Sequence, residues 1–216
     1  MIKKGDLSID AKKTINGYMA LAKSLTAFGN TVPTSYLRLV PHQEAPTKIC
    51  WGFRDRSALV RVPISWFNAG NMIGSLNPGI NNVNFKVDHG QTVEFRSADG
   101  SANIHLFLAG LCVAARHGFE MKNGIEMFGK FFAAQNASLN SKKINSKFDN
   151  LPSSCHESAD SLKEDRKIYE KYGVFSGSVI DSTIKRLKNY DDKNLNERLY
   201  GKEEEIKKLV DEYLYC

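Results

Sequence analysis

The chain lacks any run of about 18 apolar residues, the length that a membrane-spanning helix requires. Its N-terminus, MIKKGDLSID, carries lysines but no apolar stretch of the kind that a secretory signal peptide needs. No internal repeat is present. We therefore expect no membrane partner. The 216 residues suit one domain, or one domain with an appendage.

Cysteine is scarce, and its spacing excludes two classes of small protein. The four cysteines never form a CxxC pair, which argues against a zinc ribbon and against a disulfide framework. The five histidines also lack the spacing of metal ligands. We therefore expect a cytoplasmic protein in a reducing compartment. Cys112, which lies in an apolar segment, is predicted to be an inert core thiol.

Charge is distributed unevenly along the chain. The net charge is +6; residues 1–150 hold 18 Lys and Arg against 10 Asp and Glu, whereas residues 151–216 hold 12 against 14. A basic region of this kind can bind nucleic acid or phosphorylated small molecules. Basic clusters mixed with aromatic residues, which nucleic-acid binding favours, are not found, so we expect no nucleic-acid partner. The separated arginines fit a convergent anion pocket better.

Local patterns predict an α+β fold with antiparallel strands, a buried helix and a helical C-terminal region. A helix is predicted over SIDAKKTINGYMALAKSLTAF, with Ser8 or Asp10 as its cap and Gly29 and Asn30 at its end. The next segment, TVPTSYLRLVPHQEAP, is predicted to be an irregular loop stiffened by proline. Strands are expected in KICWGF, SALVRVP and QTVEFRS.

The second half of the chain is predicted to be mainly helical. The segment ANIHLFLAGLCVAARHG is apolar nearly all round, which predicts a buried helix that Ser101 caps and Gly118 ends. The polar residues 136–150 resemble a linker. Ser154 and Glu157 then form a capping-box pattern before further helices. In SGSVIDSTIKRLKNY one predicted helical stripe consists of Val179, Ile180, Thr183, Ile184 and Leu187, and EEEIKKLVDEYL near the C-terminus carries another. We therefore expect two regions. Residues 1–150 form the unit that contains the candidate site residues, and residues 151–216 form a helical region packed on it.

Six charged residues could carry chemistry: Arg38, Glu44, Arg56, Arg61, Glu94 and Arg96. Glu94 and Arg96 lie two apart on a predicted strand, so their side chains leave the same face. They can be a solvated surface pair, or a cation-binding carboxylate beside an anion-binding arginine. Arg56 and Arg61 can belong to a turn and a strand surface, or can clamp phosphate oxygens with their guanidinium groups.

Three ordered segments give these residues a shared context. They are LTAFGNTVPTSYLRLVPHQEAP, RDRSALVRVP and VEFRSADGSANIHLFLAGL, followed by LPSSCHESADSLKED and YGVFSGSVIDSTIKRLK. In order and spacing they resemble the C-terminal half of glutamine synthetase catalytic domains and the closing helices of that family. The resemblance covers nearly the whole chain. It implies an ATP-dependent ligase that phosphorylates glutamate and then forms glutamine from ammonia.

The resemblance implies roles around the amino-acid substrate. Glu44, in the EAP segment, matches a glutamate on a loop that closes over the reacting centre, shields the acyl phosphate from water and helps to bind and deprotonate ammonium. Arg38 and Arg96 match residues that hold glutamate, with Arg96 near its carboxylate.

The resemblance also implies roles around the nucleotide. Arg56 matches a residue that touches the transferred phosphate and the substrate, and Arg61 one that holds ATP phosphates. Glu94 matches one ligand of Mg²⁺ or Mn²⁺. The implied partners are glutamate, ammonia and ATP, and the complete enzyme is implied to be a homo-oligomer.

Several departures from the family pattern qualify this assignment. Thr92 replaces an arginine that contacts ATP, His42 and Gln43 replace a glycine–aromatic pair before Glu44, and the loop over residues 65–91 is long. Other metal ligands of the family lie upstream of the matched region, so the chain is expected to need an upstream half or a partner chain. The alternatives are a γ-glutamyl ligase for another amine, and a non-catalytic fragment or relic. A basic RNA-binding protein is the remaining alternative.

Overall fold

The structure is a computed structural model that describes residues 2–3, 6–40, 45–63, 76–77, 79, 92–133 and 147–214. The strands there are Ile2–Lys3 (β1), Asp6–Leu7 (β2), Lys48–Phe53 (β3), Ala58–Val62 (β4) and Glu94–Phe95 (β5). The helices are Ile9–Ala20 (α1), Ala22–Gly29 (α2), Pro33–Arg38 (α3), Ile104–Glu120 (α4), Gly124–Lys130 (α5), Cys155–Glu170 (α6), Gly177–Lys188 (α7), Leu195–Arg198 (α8) and Glu203–Glu212 (α9). The predicted α+β class is confirmed. None of the described helices is long and apolar enough to cross a membrane.

Strands β3, β4 and β5 form a mixed sheet in that order. β4 and β5 are antiparallel, as expected, with Arg61 directly opposite Glu94. β3 and β4 are parallel, which differs from the prediction. Apolar alternation reveals a strand but not its direction, and residues 54–57 form the connection between these two strands. In that connection Arg54 adopts a left-handed backbone conformation with φ of 58°.

The predicted N-terminal helix is divided in two by Leu21. Ser8 caps α1 by accepting a hydrogen bond from the amide of Ala11, at 3.1 Å, and α2 ends at Gly29, as predicted. Leu21 departs from helical geometry, with φ of −105° and ψ of 16°. The prediction of one continuous helix is therefore wrong, because apolar spacing continues across a break that only the backbone angles reveal.

Helix α3 lies inside the segment that is predicted to be an irregular loop. Pro33 occupies its first turn, where the missing amide hydrogen costs nothing and the restricted φ favours a helix start. The prediction treats proline only as a helix breaker, so it is wrong for residues 33–38. The short helix places Arg38 at its last position.

Helices α1 and α4 cross at two glycines. A Cβ atom built on Gly17 would lie 1.8 Å from the carbonyl oxygen of Ala114, and one built on Gly118 would lie 2.1 Å from that of Lys13. Such distances are far inside van der Waals contact, so only glycine permits this approach of the two backbones. The crossing fixes α4 against the N-terminal helices.

Helix α4 differs from its prediction in three respects. Asn103, not Ser101, caps it by accepting from the amide of Leu106 at 3.2 Å, and the helix continues past Gly118 to Glu120. It is also not buried all round: Leu108 is 55% exposed. An apolar pattern predicts which faces can be buried, but tertiary packing covers only one of them here.

Helix α6 begins with a capping arrangement that differs from the predicted capping box in one hydrogen bond. Ser154 accepts from the amide of Glu157 at 3.1 Å, whereas the Glu157 carboxylate accepts from the amide of Ser153 at 2.8 Å instead of that of Ser154. The buried Asp192 adds a second cap, accepting from the amide of Cys155 at 2.5 Å. The start of α6 is thereby held by residues from two regions of the chain.

One hydrophobic cluster joins the two predicted regions. It includes Leu25 and Phe28 of α2, and Leu162 and Tyr169 of α6, all fully buried. Helix α7 adds Ile180 and Leu187 of the predicted stripe, and Thr183 of the same stripe is buried as well. Most of the predicted linker over residues 136–150 lies outside the described residues, but Phe148 near its end is buried, as is Leu151 directly after it. The helix predicted near the C-terminus forms as α9, with no residue fully buried.

Candidate active site

Arg38 reaches from the end of α3 to the segment that follows β5. Its Nη2 donates to the carbonyl oxygens of Ser97 and, at 3.3 Å, of Ala98. Its Nε is buried and has no hydrogen-bond acceptor among the described residues. Two backbone carbonyl oxygens therefore hold one edge of the guanidinium group, whereas its Nε has no acceptor among the described residues.

Ser97 is the point at which two elements meet. Besides the bond from Arg38, its carbonyl oxygen accepts from Nδ2 of Asn30 at 2.7 Å, and both Asn30 and Ser97 are fully buried. Asn30 immediately follows α2, and Ser97 immediately follows Arg96. Since buried polar groups are costly to leave without partners, these bonds fix the backbone beside Arg96.

The turn after Ser97 is held by a second set of hydrogen bonds. The Asp99 carboxylate accepts from the amide and hydroxyl of Ser101, at 2.9 and 2.7 Å. Ser101 in turn accepts from the amide of Thr31 at 2.9 Å, and the amide of Asp99 donates to the carbonyl of Gly29 at 3.1 Å. The turn is thus locked to the chain between α2 and α3.

Arg61 and Glu94 form an ion pair across β4 and β5. Nη2 of Arg61 donates to Oε1 of Glu94 at 3.1 Å, and Nε lies 2.5 Å from Oε2. The Arg61 side chain is 23% exposed and that of Glu94 45% exposed. The predicted phosphate-binding arginine and the predicted metal ligand therefore neutralise each other while remaining open to solvent.

Arg96 lies just beyond β5, which is shorter than predicted. Its amide donates to the carbonyl of Leu59 at 2.9 Å, which extends the pairing with β4 by one bond, and its side chain is half-buried. The Arg38 guanidinium group is thus held at the residue that directly follows Arg96 in the chain.

Arg56 lies apart from Arg61 along β4, and Glu44 cannot be placed relative to this cluster because it lies outside the described residues. Arg56 is exposed in the connection before β4, so its backbone lies at the opposite end of that strand from Arg61. In the same connection, the Asp55 carboxylate accepts from the amide of Ser57 at 2.9 Å. Glu44, with His42 and Gln43, lies outside the described residues.

Glu94 is the carboxylate that the sequence predicts as a ligand of a divalent cation. Within the described residues, no three His, Cys, Asp or Glu side chains gather as a metal site. Mg²⁺ commonly takes only one or two protein carboxylates, with water and phosphate oxygens as its other ligands. A carboxylate also has lone pairs for more than one partner. Glu94 therefore fits a role as one ligand, and any further protein ligand would come from outside the described residues.

The cysteines differ from their prediction at one position. Cys112 is exposed, so the prediction of a core thiol is wrong there, because it lies on the outward face of α4. Cys50 and Cys155 are the buried thiols. Burial raises the pKa of Cys50 to about 12, and burial together with Asp192 raises the pKa of Cys155 further. Both are therefore poor nucleophiles at neutral pH.

Sequence reasoning missed Asn30, Ser97 and Asp99 as parts of the site. In the sequence, Asn30 indicates only a helix end, and ADGSAN only a turn. The signal that could have found them is the density of small polar residues on both sides of the arginines, since such residues often bond to nearby backbone. Their partners, however, lie far away in the sequence.

Comparison with known proteins gives consistent results. The family profile described as glutamine synthetase, catalytic domain, matches residues 2–206. The glutamine synthetase of Pyrococcus abyssi is 32% identical over 191 residues, which are 88% of this chain and 38% of that protein. That of Pyrococcus horikoshii is 34% identical over 195 residues, with the same coverage. The cryo-EM structure of Plasmodium falciparum glutamine synthetase matches with a TM-score of 0.60 and 23% identity, covering 90% of this chain and 42% of that chain. The chain thus spans about two fifths of the length of these relatives.

Proposed function

The chain belongs to the glutamine synthetase family, and from this premise we propose that it is the C-terminal catalytic segment of an ATP-dependent glutamate–ammonia ligase. In that reaction, the side-chain carboxylate of glutamate attacks the terminal phosphorus of ATP, which releases ADP and leaves an acyl phosphate. Ammonia then attacks the acyl carbon, phosphate leaves, and the nitrogen loses a proton. The segment supplies the groups that bind and orient the glutamate and the phosphates.

The observation that carries the proposal is the junction at Ser97. The Arg38 side chain donates to the carbonyl of Ser97, the residue that directly follows Arg96, and the Arg96 amide is held by the carbonyl of Leu59. Asn30 holds the carbonyl of Ser97 from the other side. Two guanidinium groups on a rigid backbone suit the recognition of a carboxylate, because each keeps its charge and presents donors in a fixed geometry. Arg38 and Arg96 are thus proposed to bind glutamate.

Arg61, Arg56 and Glu94 are proposed to serve the phosphates. Arg61 would bind ATP phosphates, and Arg56 would contact the phosphoryl group as it is transferred. Glu94 would provide one oxygen ligand to Mg²⁺ or Mn²⁺, an ion that neutralises phosphate charge when it is bound. The ion pair between Arg61 and Glu94 supports this role because it brings the two groups together and holds both at a solvent-accessible strand edge.

Glu44 is proposed to close the site. It follows Pro41 and precedes Pro46 in a stiff segment, and such a loop can return to one closed geometry. Closure would exclude water from the acyl phosphate, and the carboxylate would take a proton from ammonium.

The segment is proposed to be inactive alone. It corresponds to 38% of the Pyrococcus abyssi relative, and among its described residues no three His, Cys, Asp or Glu side chains gather as a metal site. The partner is proposed to be the upstream part of the enzyme, on the same or another chain, in a homo-oligomer.

A chimera tests the proposal. The upstream part of the Pyrococcus abyssi relative would be fused to this chain, in place of the segment that the chain matches. We expect the chimera to release phosphate from ATP only with glutamate and ammonia, and the chain alone to release none. Glutamine formation by the chain alone would contradict its incompleteness. A folded chimera with no glutamate-dependent phosphate release would contradict the function.

A further inference from the structure

Helix α3 ends at an arginine that is proposed to bind glutamate, yet the helix is too short to be stable by itself. It spans six residues, Pro33–Arg38, and no side chain caps its start. Isolated helices shorter than about 12 residues are marginal in water, because ordering the first turn costs more than its few hydrogen bonds return. Contacts with the rest of the fold must therefore set the position of α3, and with it the position of Arg38.

Tyr36 provides one of these contacts from the interior of the protein. It is 1% exposed and belongs to the hydrophobic cluster that joins α2 and α6. Its hydroxyl donates to the carbonyl oxygen of Asn30 at 3.0 Å. Burial, and next the neighbouring Cys155, raise the pKa of this hydroxyl well above its usual value. The hydroxyl is therefore protonated at neutral pH and is a hydrogen-bond donor.

The hydrogen bond from Tyr36 closes a ring of contacts around Ser97. Nδ2 of Asn30 donates to the Ser97 carbonyl oxygen at 2.7 Å, and Nη2 of Arg38 donates to the same oxygen. Tyr36 lies two residues before Arg38 on α3, so the ring returns to the arginine. Asn30 thus acts on Arg38 by two routes, through Ser97 and through Tyr36. A shift of α3 relative to Asn30 would have to break the hydrogen bond from Tyr36.

Two other hydrogen bonds hold α3, but both lie nearer to water. Oγ of Ser35 lies 3.1 Å from Oγ of Ser101, and Nδ2 of Asn196 in α8 donates to the carbonyl oxygen of Tyr36 at 3.3 Å. These two bonds are partly buried, whereas the bond from the Tyr36 hydroxyl is fully buried. A hydrogen bond is electrostatically stronger in a dry environment, so the hydroxyl of Tyr36 is the firmest of the three constraints.

We propose that Tyr36 is a positioning residue for glutamate binding: its buried hydroxyl fixes α3 against Asn30 and thereby fixes the guanidinium group of Arg38 at Ser97. This inference rests on the proposed function, in which Arg38 binds glutamate. A guanidinium group recognises a carboxylate through the direction of its donors as well as through its charge. A small displacement of Arg38 therefore weakens binding even though the charge stays.

Tyr36→Phe tests the role in the active chimera, because it removes the hydroxyl and leaves the aromatic ring in the core. We expect the KM for glutamate to rise by about fivefold, the effect of one lost hydrogen bond. The KM for ATP should stay unchanged, since α3 carries none of the residues that are proposed to bind ATP. Steady-state kinetics at varied glutamate and at varied ATP separate the two constants.

Tyr169→Phe is the matched control for a purely structural effect. Tyr169 belongs to the same hydrophobic cluster, is fully buried, and has its hydroxyl 2.9 Å from Oγ of Ser24. It takes no part in the ring around Ser97. Both variants lose one buried hydrogen bond, so both should lower the melting temperature. Only Tyr36→Phe should change the KM for glutamate.

NMR of the chain alone tests the positioning without any catalytic activity. The Nε atom of Arg38 is buried, so the rate at which its hydrogen exchanges with water reports how firmly the guanidinium group is held. Arg38→Lys identifies the signal by removing it. We expect Tyr36→Phe to accelerate this exchange by about fivefold, and Tyr169→Phe to leave it unchanged.

The two measurements distinguish failure of this inference from failure of the proposed function. An active chimera in which Tyr36→Phe and Tyr169→Phe have equal effects on the KM for glutamate would overturn the positioning role and leave the function standing. Unchanged exchange at Arg38 in Tyr36→Phe would also overturn it. An inactive chimera would contradict the function and the substrate, whereas the exchange rate would still decide whether Tyr36 positions Arg38.

Discussion

Arg61 and Glu94 stand directly opposite each other on antiparallel strands, with Nε of the arginine 2.5 Å from Oε2 of the glutamate. Cross-strand neighbours of opposite charge stabilise a sheet, but modestly when water reaches them. The pair therefore has two uses: it holds β5 in register, and it keeps a cationic and an anionic group together at the edge of the proposed nucleotide site.

The stability of this pair can be measured with a double-mutant cycle. Because both side chains are partly exposed, we expect Arg61→Ala and Glu94→Gln to show a coupling free energy of at most about 1 kcal/mol. Urea denaturation of the two single variants and the double variant gives the value. A coupling energy well above about 2 kcal/mol would indicate a structural ion pair that substrate binding does not open.

Glu94 and Arg96 should affect different substrates in the active chimera. Glu94→Gln removes a negative charge that is proposed to face a cation, so it should raise the Mg²⁺ concentration needed for half-maximal rate by about tenfold or more. Arg96→Ala removes a proposed donor to the glutamate carboxylate and should instead raise the KM for glutamate by about 100-fold. Steady-state kinetics at varied metal and glutamate separate the two effects. Equal effects of both variants on both quantities would contradict the assigned roles.

Glu44 should control the loss of intermediate to water. In the chimera, Glu44→Ala should lower glutamine formation and raise the ATP consumed per glutamine formed, since an open loop admits water. Glu126→Ala, at an exposed glutamate of α5, is the matched control. Simultaneous assays of phosphate and glutamine give the ratio. An unchanged ratio would refute the closing role.

The glycine crossing should be intolerant of any side chain. Gly17→Ala and Gly118→Ala each place a methyl group about where the carbonyl oxygen of the facing helix lies, so each should destabilise the fold by about 3 kcal/mol or more. Gly129→Ala is the control, because nothing lies within 4 Å of the position that its added methyl group would take in α5. It should be neutral, or stabilising by up to about 1 kcal/mol. Thermal denaturation distinguishes these outcomes.

Two aspartates should change stability with pH in opposite directions. Burial raises the pKa of Asp165, so its favourable contribution is present at low pH and is lost as pH rises through the folded-state pKa. Asp165→Asn should therefore raise the melting temperature at pH 7, and the gain should vanish towards about pH 4.

Asp181 provides the opposite case. A hydrogen bond from Arg166 lowers its pKa, so its contribution is present at neutral pH and is lost as pH falls through the folded-state pKa. Asp181→Asn should lower the melting temperature at pH 7, and less so in acid. If both variants showed the same sign at pH 7, the electrostatic interpretation of at least one would be wrong.

Local structure is predicted best where a few neighbouring residues decide it. The strand segments β3 and β4, the Ser8 cap and the buried stripe of α7 all follow from spacing and from cap residues. The wrong predictions of secondary structure also concern single residues and their immediate neighbours. Pro33 begins a helix in a predicted loop, and Leu21 interrupts a helix predicted to be continuous, because the same residues are compatible with either backbone.

The sequence by itself determined the family, through three ordered motifs, and the residues that could hold charge at the site. It could not determine which of these residues meet. Arg61 contacts Glu94 across 33 positions, Arg38 contacts Ser97 across 59, and Asn30 contacts Ser97 across 67. The parallel pairing of β3 and β4 and the outward face of α4 were likewise decided by tertiary structure. The physical reason is that periodicity and caps act within a turn or two of the chain, whereas long-range pairing depends on how the whole core packs.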